Sequence, residues 1–314
     1  MIILRTASQA QLKPGAWMYP RAFQYHRAKS LQDAVSLLTE LGEDAKPLAG
    51  GQSLIPLMKL RLSAPANLVD LNFIPDTSYI RGSGDLAFGA MTRHAEIAAS
   101  SEVDRIPILH DCAAGIADPQ VRNMGTIGGS IAEADPTGDW APVLMATGAN
   151  VTIVGPRGER MVGITEFIQD AFTTILQPGE LVKEVTVPHQ PSSSGGAYIA
   201  LKRCAPVYAS ASVAVQLNMY DGEVCADARV YLGVLGLTAI RVKEAEDVLR
   251  GQQLTASSLE KVRAAVTDVA QPVPDMRGSA GYKRHAAGVL AKLAIEAAFK
   301  RARGEDVEVT HLYA

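Results

Sequence analysis

The sequence predicts an α+β protein: two α/β segments, followed by a domain in which strands precede helices. Three observations carry this reading. Strand-like and helix-like apolar patterns alternate as far as about residue 190. A Pro/Ser/Gly-rich break, "QPSSSGG", comes next. Beyond it lie three long β-patterned runs and then three helix-patterned ones, the order of an α+β domain. These changes divide the chain into a tail over 1–18, a two-part domain over 19–190 (about 19–72 and 73–190), a C-terminal domain over 191–303, and a tail over 304–314.

The elements follow in order. "SLQDAVSLLTEL" (30–41) spaces Leu31, Ala34, Val35, Leu37 and Leu38 along one helical face, with Ser30 as N-cap. "KPLAG" reads as a strand, "SLIPLMKLRL" as a helix with Pro56 in its first turn, and "NLVDL" as a strand, giving a β-α-β opening. Strand "DLAFGA" leads to helices "TRHAEIAAS" and "IPILHDCAAGI". The stretch "ADPQVRNMGTIGGSIAEADPTGDW" reads as irregular, ahead of helix "APVLMATG" and strands "NVTIVG" and "GELVKEVTVP". After the linker, "AYIALKR", "ASASVAVQLNMY" and "VCADARVYLGVLG" are strands, the last two joined at Asp221-Gly222. The helices are "AIRVKEAEDVLRG", "ASSLEKVRAAVTDVA" and "YKRHAAGVLAKLAIEAAFKRARG".

Composition narrows the class. The chain is 47% hydrophobic and 20% charged with net charge −3, so nothing favours nucleic acid or an anionic membrane as partner. No apolar run reaches the roughly 18 residues of a spanning helix, and a cytoplasmic protein is the expectation. The three cysteines, Cys112, Cys204 and Cys225, form no C-x-x-C pair, and the six histidines are scattered. An iron–sulfur cluster ordinarily takes four thiolates, so none is expected on this chain, nor any other metal site.

Two glycine pairs stand out. Gly50-Gly51 precedes Gln52 and Ser53; Gly128-Gly129 lies between Thr126-Ile127 and Ser130. Consecutive glycines let amides turn toward one point, and such a nest beside a helix start binds phosphate oxygens. Two of them suit a pyrophosphate held from two sides; equally, each is an ordinary tight turn. Neither a G-x-G-x-x-G in register nor a Gly-Lys dipeptide is present.

Around these loops, "YHRAKSLQDAVSLLTELGEDAKPLAGGQSLIPLMKLRL", "ADPQVRNMGTIGGSIAEADPTGD" and "KRCAPVYASASVAV" closely resemble the FAD-binding medium subunit of molybdenum hydroxylases. The resemblance runs from about Tyr19 to Arg303 and leans toward the carbon monoxide dehydrogenase type; xanthine dehydrogenase carries the same module. It implies a PCMH-type (vanillyl-alcohol-oxidase-type) fold, with two α/β subdomains clasping FAD and a C-terminal domain closing over the flavin. It places one pyrophosphate loop on Ala49, Gly50, Gly51, Gln52, Ser53 and Leu54, and the other on Thr126, Ile127, Gly128, Gly129 and Ser130. Ser130 stands where asparagine is common, and Gln52 where histidine or threonine is frequent. Asp139 matches a carboxylate that bonds flavin ribityl or ribose hydroxyls, though an aspartate there also suits a helix N-cap. Val182 matches a residue lining the isoalloxazine pocket, Tyr208 an aromatic beside the ring, and Lys202 lies on the same strand approach. The function implied is electron transfer from [2Fe–2S] clusters of a small subunit, through FAD, to an external acceptor. A large molybdopterin subunit would hold the substrate site, in a dimer of heterotrimers, with no catalytic residue on this chain. A stand-alone flavin oxidase and a non-catalytic assembly module are the alternatives.

Overall fold

Short strands and their crossovers set up the first sheet. The computed structural model describes residues 19–313, so the expected tail over 1–18 lies outside the described residues. Strands β1 (Gln24–Arg27), β2 (Ala45–Leu48) and β3 (Asn67–Asp70) pair in parallel in the order β1-β3-β2. Helix α1 (Leu31–Leu41) makes the first crossover. Ser30 caps it, accepting from Asp33 N at 3.0 Å, and Ala34, Val35 and Leu38 are buried. Helix α2 (Leu54–Lys59) makes the second. β1 was not among the expected strands. It is an edge strand with little buried apolar surface, tied in by Tyr25 OH to Asp70 (2.6 Å) and His26 to Asn67 (2.8 Å).

The second segment keeps the expected mixture of elements but pairs its strands antiparallel. Strands β4 (Ile80–Arg81), β5 (Leu86–Gly89), β6 (Asn150–Gly155), β7 (Gly158–Gly163) and β10 (Leu181–Val187) stand in the order β4-β5-β10-β6-β7. Helices α3 (His94–Ala99), α4 (Pro107–Gly115), α5 (Pro119–Met124), α6 (Ile127–Glu133) and α7 (Trp140–Thr147) run between β5 and β6. After β7 come α8 (Ile164–Phe167) and a small hairpin of β8 (Ile168–Asp170) and β9 (Thr173–Thr174). The stretch read as irregular thus holds α5 and α6. Asp118 caps α5 through Val121 N, and Thr126 caps α6 through Gly129 N. α7 is buried on nearly every side, in a core it shares with Leu86, Phe88 and Ile153.

The C-terminal sheet runs β14-β13-β12-β11-β15. Its strands are β11 (Ser194–Lys202), β12 (Ala211–Tyr220), β13 (Val224–Gly233), β14 (Ile240–Arg241) and β15 (Leu312–Tyr313). Helices α9 (Lys243–Leu249), α10 (Ala256–Val269) and α11 (Ala280–Ala302) follow β14, and α11 packs on β11 and β12. The opposite face of the sheet meets α4 and α7, so both faces are covered. Two expectations are corrected here. Ser194, Gly195 and Gly196 are the start of β11, not linker: a Cβ on Gly195 would lie 2.0 Å from Ala298 O, so glycine lets the α11 backbone touch the strand. The segment after 303 is not a loose tail, since it returns to pair β15 with β11.

Candidate functional site

The first glycine loop connects β2 to α2. Gly51 has φ 71°, a left-handed conformation that glycine adopts at no steric cost. Gly50 answers a different need: a Cβ there would lie 2.3 Å from Met124 O and 2.7 Å from Gly125 Cα. The loop therefore sits directly on the backbone that leads into the second loop. Among the described residues, no hydrogen bond uses the N–H of Gly50, Gly51, Gln52, Ser53 or Leu54. The Ser53 hydroxyl caps nothing either. A run of donors at a helix start, without acceptors of its own, is what an anion completes.

The second loop is built otherwise, and this corrects the expectation that amides of both loops point into one cleft. Ile127 N donates to Thr92 O, Gly128 N to Ala90 O, Gly129 N to Thr126 Oγ1 and Ser130 N to Thr126 O, at 2.9–3.1 Å. These donors are spent inside the fold. A Cβ on Gly128 would meet Ala90 Cβ at 2.6 Å, and one on Gly129 would lie 3.6 Å from Ala49 Cβ. The second loop thus gives a bare wall against the first, with the Ser130 hydroxyl free of partners among the described residues.

A polar latch joins the two loops. Asn72 Nδ2 donates to Ala49 O (2.9 Å), and Asn72 Oδ1 accepts from Arg93 Nη2 at 2.5 Å. Arg93 also donates to Met124 O. Arg122 Nη1 holds Ile116 O (2.8 Å) and Ala117 O (3.0 Å), with Ala117 at φ 43°.

The floor of the cleft is polar, and its charged groups are buried or nearly so. Asp139 does not cap α7 with its side chain. Its Oδ1 accepts from Tyr198 OH at 2.6 Å and lies 3.7 Å from Lys202 Nζ, while that ammonium donates to Gly115 O at 2.6 Å. Lys202 is only 1% exposed, so its charge depends on these partners. Burial, then the Asp139 charge, pushes the Tyr198 hydroxyl well above its ordinary value. His94 accepts from Trp140 Nε1 through Nδ1 (3.1 Å), and burial, then the Arg93 and Arg122 charges, lowers its pKa to about 4. The imidazole is therefore neutral at pH 7, with its proton on Nε2. Tyr208 is 52% exposed at the rim, its pKa raised to about 12 first by burial and then by the charge of Asp135.

These surfaces enclose a cleft of about 980 Å³, at the upper end of the roughly 300–1,000 Å³ of small-ligand sites. It is lined by Ala49, Gly50, Gly51, Gln52, Ser53, Leu54, Thr126, Gly128, Gly129, Ser130, Asp139, Val182, Lys202 and Tyr208. Of the expected residues only Ile127 stays outside: at the start of α6 its side chain turns into the core and is fully buried. His94, Ile116, Ala117, Glu133 and Asp135 also line the cleft and were not anticipated. Free donors, side-chain-free walls, unengaged serine hydroxyls and a carboxylate lining one cleft fit a diphosphate-bearing, hydroxyl-rich ligand.

Comparison with known proteins agrees with this geometry. Residues 21–190 match the family described as "FAD binding domain in molybdopterin dehydrogenase", and 196–298 match "CO dehydrogenase flavoprotein C-terminal domain". The chain is 43% identical to the carbon monoxide dehydrogenase medium chain of Afipia carboxidovorans, over 91% of this chain and all of that one. It is 38% identical to the 6-hydroxypseudooxynicotine dehydrogenase complex subunit alpha of Paenarthrobacter nicotinovorans, over 94% of this chain and all of that one. Among solved structures, Cu,Mo-CO dehydrogenase superposes with TM-score 0.87 at 43% identity, covering 90% of this chain and 100% of that one. Quinoline 2-oxidoreductase from Pseudomonas putida 86 gives 0.85 at 33%, covering 91% and 99%. The chain belongs to the family of FAD-binding medium subunits of molybdenum hydroxylases.

Proposed function

We propose that this chain is the electron-transfer subunit of a molybdenum hydroxylase complex. It receives electrons from [2Fe–2S] clusters on a small partner subunit and delivers them to an external acceptor. A large molybdopterin subunit carries the substrate chemistry, and the assembly is a dimer of heterotrimers, of carbon monoxide dehydrogenase type among its relatives. The observation that carries the reading is the row of unsatisfied amides over residues 50–54, in a loop that lines the same cleft as the bare Gly128-Gly129 backbone.

In this reading the amides of Gly50 to Leu54 and the hydroxyls of Ser53 and Ser130 hold the pyrophosphate of FAD. Asp139 keeps Oδ2 clear of protein partners among the described residues and accepts from a ligand hydroxyl. Lys202 balances that carboxylate, Val182 gives an apolar wall, and Tyr208 guards the exposed rim. When bound, FAD supplies one- and two-electron redox chemistry that no side chain offers. The cysteines support clusters on another chain: Cys112 lies in α4, Cys225 in β13, and Cys204 is exposed after β11. Among the described residues, no helix is long and apolar enough to cross a membrane.

The test is reconstitution. The complex depleted of FAD should still reduce its iron–sulfur clusters with substrate, yet fail to pass electrons to the acceptor until FAD is restored. Unchanged transfer to the acceptor without FAD would refute the assignment.

A further inference from the structure

The chain beyond α11 doubles back beneath the cleft. Arg301 donates to Val307 O from Nε (3.0 Å) and Nη2 (2.8 Å), and also forms a bidentate pair with buried Asp111 at 2.6 and 2.9 Å. Leu312 and Tyr313 pair with Leu201 and Lys202 at the end of β11. Just before them His311 enters the interior. Ala200 N donates to its Nδ1 at 3.1 Å, which leaves Nε2 as the donor to Asp111 O at 3.0 Å. The ring meets Tyr198 edge-on, centroids 5.7 Å apart.

His311 touches the supports of both charged groups on the cleft floor. A Cβ on Gly115 would lie 1.6 Å from His311 Nε2, so the imidazole rests where a side chain would otherwise stand. The carbonyl of that same Gly115 receives the Lys202 ammonium, and the next residues, Ile116 and Ala117, line the cleft. Tyr198, against the ring, holds Asp139. The segment has other anchors in Arg301 and the β15 pairing, so the imidazole is not needed merely to keep it in place.

We propose that His311 is a positioning residue for FAD: it braces the Gly115 carbonyl and the Tyr198 ring so that Lys202 and Asp139 are fixed at the cofactor cleft. The inference rests on the FAD reading of that cleft. Packing alone would lower the melting temperature of a variant without selectively changing how flavin is held.

The test is FAD titration of the flavin-free full-length chain, followed by flavin fluorescence and by visible circular dichroism of the bound flavin. His311→Ala should weaken binding about tenfold and alter the flavin dichroism. His311→Gln, which keeps a donor and an acceptor, should recover affinity to within about threefold. Lys202→Met/His311→Ala should weaken binding by clearly less than the product of the two single effects, because the part of the His311 effect that runs through Lys202 is already lost in Lys202→Met. If His311→Ala does not fold, His311→Leu carries the same expectation, since it fills the space beside Gly115 but keeps neither the donor nor the acceptor of the imidazole. Affinity of the tested variant within about twofold of the parent, or losses that multiply in the double variant, would overturn the proposal. A parent chain that binds no FAD would overturn the cleft reading, and this inference with it.

Discussion

Gly50→Ala is the sharpest probe of how the two loops work together. The added methyl would sit 2.3 Å from Met124 O, 2.7 Å from Gly125 Cα and 2.9 Å from Met124 C, all backbone atoms that no rotamer change moves. Relief requires the first loop to withdraw by about 1 Å to regain van der Waals distance. Overpacking of this kind costs about 1–3 kcal/mol of stability. Its effect on binding is larger in consequence. An N–H donor moved about 1 Å from a 2.9 Å contact no longer makes a hydrogen bond. Bonds to charged groups contribute about 1.5–3 kcal/mol each, so losing one and stretching its neighbours comes to about 3 kcal/mol, or 100-fold in FAD affinity. Flavin fluorescence titration of the full-length chain gives the affinity, and a thermal melt gives the stability term. Gly281→Ala is the control, because its methyl meets nothing within 4 Å and lies in α11. FAD affinity for Gly50→Ala within about twofold of the parent would refute the reasoning.

Other expectations concern the frame around the site. His94 is expected to be protonated in the unfolded chain near pH 6.5 and in the folded chain only near pH 4. Its contribution is whole above pH 6.5 and lost as pH falls toward 4, about 3 kcal/mol in all. His94→Gln should flatten that acid limb in denaturant titrations, and an unchanged slope would count against it. Gly195→Ala forces β11 off the α11 backbone and should cost about 3 kcal/mol in a thermal melt; a neutral result would contradict the close contact. Arg301→Met leaves Asp111 buried without its charge partner and should destabilise the chain by about 3–5 kcal/mol in chemical denaturation, against almost nothing if the pair were dispensable. Tyr198→Phe deprives Asp139 of a 2.6 Å donor and should lower stability by about 1–3 kcal/mol, with weaker FAD binding in the same preparation.

What could be read from sequence was what is decided locally. α1 shows in the spacing of Ala34, Val35 and Leu38 behind a serine cap, because an amphipathic helix writes its period into neighbouring residues. The glycine loops show for the same reason: bare backbone is a property of the residue itself. The short helices α5 and α6, six and seven residues long, give too little sequence for a period to register. β1 has no alternating apolar face to mark it, and its place comes from Asp70 and Asn67, more than forty positions away in sequence. Gly195 and Gly196 look like a linker by composition, yet they are there because α11 and Gln216 come too close for side chains. At the site, Asn72, Arg93, His94 and His311 meet their partners only through tertiary folding. No local pattern distinguishes them from ordinary surface or core residues.

Amide hydrogen exchange with and without FAD tests the central claim most directly. The unsatisfied N–H groups over residues 50–54 should exchange freely in the flavin-free chain and slow strongly when FAD is added. The amides of Ile127, Gly128, Gly129 and Ser130 already have acceptors in the protein and should change far less. Saturating FAD that leaves exchange at 50–54 unaltered would contradict the account.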